Sequence, residues 1–177
     1  MKSLCHRAFL LLASVTLAAG CGSERVAGVP SPVTHSAAIT ANVGTCKFSV
    51  KSVSDLREES GLGNLGRTRV GDEGFRSWFE NGIAAIPGYQ ADTAPLTLRI
   101  EVIKAYVQGL STMKSANLVV RVYAIDKNMA LPPRVYRGVD NSGNFANTES
   151  EIQTALDRAM YNLRLQIGAD IDKLCKI

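Results

Sequence analysis

Histidine is the scarcest reactive side chain in this 177-residue sequence, with only His6 and His35. Both precede residue 46, where the first strand-like pattern is about to begin, so the folded part has none. Ser–His and Cys–His nucleophilic pairs and His-based metal sites are thereby excluded from it. Charge of one sign is scarce too. The formal net charge is +4, and two of those positives, Lys2 and Arg7, stand at the extreme N-terminus. No basic block of the kind that marks nucleic-acid binding occurs. Long apolar runs are also missing, apart from one near the start.

That run comprises Phe9 to Ala13, Val15 and Leu17 to Ala19, broken by Ser14 and Thr16. It is shorter than the roughly 20 apolar residues a spanning helix needs. With Lys2 and Arg7 before it and small residues after it, it reads as an export signal. It ends in Leu17-Ala18-Ala19-Gly20-Cys21. A cysteine directly after small residues resembles the lipobox of bacterial lipoproteins, with Ala18 in place of the usual leucine. The resemblance implies cleavage before Cys21 and acyl chains on that cysteine, and two or three chains anchor far better than one. An ordinary secretory signal, cut after Ala19 or Gly20, is the alternative.

Four cysteines are present. Cys5 belongs to the signal and Cys21 is the expected lipid site. Cys46 and Cys175 remain, at the two edges of the expected domain. An oxidising compartment permits a disulfide between them, with two separate thiols as the alternative. Their spacing excludes a CxxC redox centre or a Cys-rich metal site. Residues 21–45, rich in small residues and containing Pro30-Ser31-Pro32, read as a flexible tether. The expected organisation is therefore a signal over 1–20, a lipidated tether over 21–45 and one domain over 46–177.

Within that domain, Lys47 to Val53 alternates apolar and polar, as a half-buried strand does. A polar, glycine-rich loop runs from Asp55 to Gly71. Phe75, Trp78, Phe79, Ile83 and Ile86 recur at helical spacing, with Asp72 as the expected cap and Pro87-Gly88 as the stop. Leu96 to Val102 alternates again and extends to Val107 with a bulge near Ile103. The stretch from Gln108 to Ser115 reads as a loop. Leu118 to Ala124 and Arg134 to Val139 are two further strands. Thr148-Glu149-Ser150-Glu151 is a capping box, opening a long helix through Leu156 and Leu163 to Cys175. The order β-α-β-β-β-α predicts an α+β two-layer sandwich: a four-stranded mixed sheet with two helices on one face.

Candidate chemistry is sparse. Gly61-Leu62-Gly63-Asn64-Leu65-Gly66 matches G-x-G-x-x-G, but the expected helix starts some six residues too late for a dinucleotide site. Turn glycines in a flexible loop are the simpler reading. The local pairs Glu58-Glu59, Asp72-Glu73 and Glu149/Glu151 read as structural, the last two groups sitting at helix starts. Trp78 reads as core. The polar sheet face is more informative: Arg99, Glu101, Arg121, Tyr123 and either Tyr136 or Arg137 are expected to project from it. Arg and Tyr are common anchors of docking surfaces, and a plain solvated face is the alternative.

Val50-Lys51-Ser52-Val53-Ser54-Asp55-Leu56-Arg57 with the later Gly66, the long strand Leu96 to Val107, and Ala155-Leu156-Asp157-Arg158-Ala159 in the last helix carry a family pattern. In these the chain resembles the YajG-like family of uncharacterised bacterial lipoproteins. More loosely it is similar to auxiliary lipoproteins of ABC-type lipid transporters and of lipopolysaccharide assembly. The resemblance implies a small α+β domain on a lipid tether that serves an envelope machine, with no catalysis and no cofactor. Gly22, following the cysteine, implies the outer membrane by resemblance to the sorting rule of enteric bacteria. The expected partners are the membrane, through acyl chains, and an envelope protein, with no nucleic acid. The alternative is a periplasmic binding module for a lipid, glycan or peptide.

Overall fold

The computed structural model describes residues 46–66, 68–126 and 129–175. Cys21, the export signal and the tether lie outside the described residues. Nine elements follow in order: β1 (Phe48–Asp55), β2 (Gly63–Leu65), β3 (Thr68–Arg69), α1 (Phe75–Ala84), β4 (Leu96–Leu110), β5 (Met113–Asp126), β6 (Met129–Ala130), β7 (Arg134–Gly143) and α2 (Glu149–Leu174).

The long hairpin of β4 and β5 is the spine of a mixed sheet. Leu110 pairs with Met113, so the connection is the two residues Ser111 and Thr112. The longer loop expected from Gln108 to Ser115 is instead strand; Lys114, Ser115 and Asn117 are buried polar residues, which hides the strand signal from a hydropathy reading. The register shifts between Val102 and Lys104, placing a bulge at Ile103. β1 pairs in parallel with the first half of β4, and β2 in parallel with its far end. On the other side, β7 pairs antiparallel with β5.

The fold is α+β, with its two helices on one face. The sheet has seven strands rather than four, because β2, β3 and β6 are two- or three-residue strands. Sequence periodicity has no length over which to show in them. Leu96, Leu98, Ile100 and Val102 of β4 and Leu118, Val120 and Val122 of β5 are buried beneath the helices. Helix α2 contributes Leu156, Ala159, Leu163 and Ile167, each 1% exposed or less. Its start is the expected capping box: Thr148 Oγ1 accepts from the Glu151 amide at 3.3 Å, and Glu151 Oε2 accepts from the Thr148 amide at 3.3 Å. Helix α1 buries Phe75, Trp78, Phe79 and Ile83, and Trp78 Nε1 donates to Asp157 of α2 at 2.9 Å. An indole buried in the core thus finds a partner for its one donor.

Asp72 does not cap α1. The N-cap is Gly74, in the left-handed region at φ 76° and without a side-chain cap. The Asp72 carboxylate turns to the preceding loop instead, accepting from the Gly61 amide at 3.2 Å and from Arg57 at 3.4 Å. Arg57 also grips Asp55 at 2.7 Å and the Gly61 carbonyl at 2.9 Å, over the Phe75 ring at 4.4 Å. The glycine-rich segment is therefore ordered rather than a flexible loop. Gly63 (φ 86°) belongs to β2, and a Cβ there would collide with the Val107 carbonyl. That is a packing reason for glycine, with no ligand involved.

Cys46 and Cys175 are joined in a disulfide, their Cα atoms 5.7 Å apart. That separation is ordinary for the bond. It ties the entry to β1 to the end of α2.

Candidate interaction surface

Strand alternation sends every second side chain of the sheet away from the helices. Among the described residues neither helix lies on that outer face. On β4 it carries Thr97, Arg99 and Glu101. On β5 it carries Asn117, Val119, Arg121 and Tyr123. The ladder sets Arg99 opposite Tyr123 and Glu101 opposite Arg121.

These four side chains form a connected array. Glu101 is its hub: Oε2 lies 3.2 Å from Arg121 Nη1 and accepts from Tyr123 Oη at 3.2 Å, while Oε1 is 3.6 Å from Arg99 Nη2. Arg99 stacks over the Tyr123 ring, its Cζ 4.0 Å from the centroid. The Arg121 guanidinium is held above its ordinary pKa, first by Tyr123 and then by Glu101. The carboxylate is 14% exposed, whereas Arg99 and Arg121 remain 49% and 41% exposed. The acid is thus satisfied within the array, and the cations still reach solvent. Such a surface presents positive, planar groups at fixed positions.

Tyr136 is not part of it. It stands opposite Val120 on β7 and so shares that residue's helix-facing side. It is 9% exposed and donates to Asp170 of α2 at 3.1 Å. Burial, then the neighbouring Asp170 charge, pushes its hydroxyl up to about 12. The neighbouring Arg137 takes the outer position, opposite Val119, and donates to Asn117 at 2.6 Å. The sequence left Tyr136 and Arg137 open because one register step exchanges the faces.

The free edge of β7 is partly occupied. Gln166 and Asn162 of α2 donate to the Arg137 and Val139 carbonyls, each at 2.8 Å. Amides from the helix thus cover acceptors that an added strand would use. Sequence reasoning missed this pair; their i, i+4 spacing on α2 was the available signal.

A second feature is a cleft where β1 ends and β2 has not yet begun along β4. It holds about 320 Å³ and is lined by Leu56, Arg57, Glu58, Glu59, Lys104 and Tyr106, among others. Between sheet and α1, by contrast, a space lined by Val53, Phe75, Phe79 and Val102 holds about 20 Å³, scarcely more than one water needs.

No family model matches the sequence, and no curated protein matches it. Solved structures do share the fold. One is a Xanthomonas campestris protein of the DUF330 family, 10% identical, with a TM-score of 0.53 over 74% of this chain and 86% of that chain. Another is an uncharacterised protein, 10% identical, with a TM-score of 0.50 over 71% of this chain and 92% of that one. A third, at a TM-score of 0.41, is the minor lipoprotein of Acinetobacter baumannii, 14% identical over 73% of this chain and 92% of that chain. These likenesses, all at 14% identity or less, show a shared fold.

Proposed function

We propose that this chain is a lipid-anchored envelope lipoprotein of the YajG-like kind. In this reading it serves as a non-catalytic accessory or adaptor subunit on the inner leaflet of the outer membrane. Acyl chains on Cys21 hold it there, residues 21–45 tether the domain formed by 46–177, and the outer sheet face docks a protein partner. The observation that carries the reading is the Arg99–Tyr123–Glu101–Arg121 array on a sheet face that no described helix covers. Arg and Tyr supply large contact area and planar hydrogen bonding at protein interfaces. Fixing them through Glu101 before binding lowers the side-chain ordering cost of association.

The binding-module reading has one observation in its favour, the cleft between β1 and β2. Its charged walls suit a small polar ligand better than a lipid tail, because an apolar ligand would desolvate the Glu58, Glu59 and Lys104 side chains that line it.

Fractionation tests the anchor. Cys21→Ser should abolish acyl labelling and move the protein out of the membrane fraction. Unchanged fractionation would remove the anchor from the account. Native mass spectrometry separates the two functional readings: a copurifying small molecule favours the binding module, and a stable protein complex without one favours the adaptor.

A further inference from the structure

The outer sheet face extends beyond the four-residue array, and its charge is one-sided. Past the bulge, Lys104 of β4 pairs with Val119, and Val119 stands opposite Arg137 of β7. Both cations therefore join Arg99 and Arg121 on the side away from the helices, and both are exposed. Among the described residues neither has a carboxylate partner; the Arg137 guanidinium donates to the neutral Asn117 amide oxygen. On β4, β5 and β7 the only carboxylate on this side is Glu101, already shared by Arg99, Arg121 and Tyr123. Four cations thus stand against one acid that is already engaged.

The same face ends in apolar side chains. Leu110 and Met113 pair across the hairpin turn and are both exposed. Gly143 stands opposite Met113, and a Cβ on it would meet the Phe145 ring at 3.1 Å. The ring therefore lies on this side, beside Met113, and is 91% exposed. Exposed apolar side chains scattered singly are ordinary, whereas a group of them marks a contact surface. Neutral rows, Tyr106 with Asn117 and Gln108 with Ser115, separate the apolar end from the cations. At about 3.3 Å per strand residue, Leu110 lies roughly 20 Å from Lys104 and roughly 35 Å from Arg99.

We propose that the outer sheet face receives an acidic protein segment. Its carboxylates lie over Arg99, Lys104, Arg121 and Arg137, and its apolar side chains reach Leu110, Met113 and Phe145. This rests on the docking reading of the face and adds the partner's chemistry and direction. Guanidinium forks match carboxylates in bidentate geometry. Phosphates of a lipid surface share the charge, but Arg99 is stacked on Tyr123 and Arg121 is held by Glu101. Cations fixed in advance gain most against anions that are themselves fixed. Carboxylates on a protein segment meet that condition, whereas headgroups diffuse within a bilayer. The cations are also spread over several rows of the ladder, which suits charges along a chain better than one free anion.

Fluorescent oligo-glutamate, titrated against the full-length protein in non-ionic detergent and followed by anisotropy, tests the charge. Binding should weaken as salt rises, because exposed charges are screened. Lys104→Glu and Arg137→Gln should each weaken it about threefold to tenfold. Arg158→Glu, at an exposed position on α2, changes net charge as Lys104→Glu does and should leave binding unchanged. Oligo-glutamate flanked by leucines should bind more tightly, and Phe145→Ser should cancel that gain. Absence of oligo-glutamate binding, an equal loss with Arg158→Glu, or a leucine gain that survives Phe145→Ser overturns the acidic segment. So does tighter binding of polyphosphate of equal charge, which points to a lipid surface, or self-association that Lys104→Glu abolishes, which points to a second copy. Photocrosslinking in membranes separates the two levels. Protein adducts at Arg99 or Arg121 that excess oligo-glutamate fails to displace overturn the acidic segment and leave the docking face standing; absence of adducts there removes the docking face itself.

Discussion

Arg121 of β5 lies directly across from Glu101 of β4, with 3.2 Å between Nη1 and Oε2. Cross-strand pairing of opposite charges contributes only a few tenths of a kcal/mol to about 1 kcal/mol at an exposed position. Stability is therefore a weak reason for the pair, and presentation of a fixed surface is a stronger one. Glu101→Gln should lower Tm little, a ΔΔG below about 1 kcal/mol. It should still weaken partner binding, since the two arginines lose their shared negative charge and one of the two acceptor oxygens becomes an NH2 donor facing cations. Chemical denaturation and copurification of the same variant check the two halves of that statement.

Gly138 of β7 lies in close contact with α2. A Cβ at this position would collide with the Ala159 carbonyl and come within 2.8 Å of Leu163 Cβ. Gly138→Ala should therefore force α2 off the sheet, at a cost of about 1–3 kcal/mol or more by overpacking. Leu163→Ala, which keeps that Cβ but removes the rest of a fully buried side chain, should cost about 2–5 kcal/mol. Denaturant titration measures both. A neutral Gly138→Ala would mean that α2 does not press on β7.

The Cys46–Cys175 bridge closes a span of 129 residues. Removing a native disulfide from a small exported domain typically costs about 2–5 kcal/mol, although the mechanism is model-dependent. Reduction, or the double Cys→Ser variant, should lower Tm accordingly without changing the folded circular-dichroism spectrum. Peptide mapping without reduction should recover the linked Cys46 and Cys175 peptides.

Tyr136 gives stability an alkaline limit. Its pKa is raised to about 12 in the fold, against about 10 in an unfolded chain. The native state holds the proton more tightly, so this contribution is complete below pH 10. It fades as pH rises from 10 to 12, by on the order of 2 kcal/mol. Tyr136→Phe should flatten the fall in that window. Asp170 acts at the other end. Lys173 first, then Arg134 and Tyr136, hold its carboxyl below the ordinary value against the effect of burial. That contribution is present above the unfolded carboxylate pKa and is lost as pH falls through the folded one. Asp170→Asn should remove it.

Long elements were legible from the sequence because burial on one side imposes a period. The stripe from Ile152 to Ile171 and the alternation of Leu96, Leu98, Ile100 and Val102 leave no ambiguity. The bulge at Ile103 was legible for the same reason, as the point where alternation changes phase. What escaped was decided by tertiary contact. The segment from Met113 to Asn117 pairs with β4 although its buried residues include Lys114, Ser115 and Asn117. Asp72 serves Arg57 and Gly61 rather than α1, which no local pattern announces. Tyr136 and Arg137 could not be assigned to a face without the register of β7 against β5. Four of the five residues expected on the polar face share it, because Arg99, Glu101, Arg121 and Tyr123 lie on strands whose apolar phase is unmistakable. Cys21 is a sequence inference throughout and lies outside the described residues.

The most direct measurement is site-specific photocrosslinking in cells, comparing a probe at Arg99 or Arg121 with one at Leu165 on the exposed side of α2. A docking sheet face gives a discrete protein adduct from the two sheet positions and none from Leu165. Adducts from Leu165 alone, or none from the sheet face in membranes that retain the protein, would contradict it.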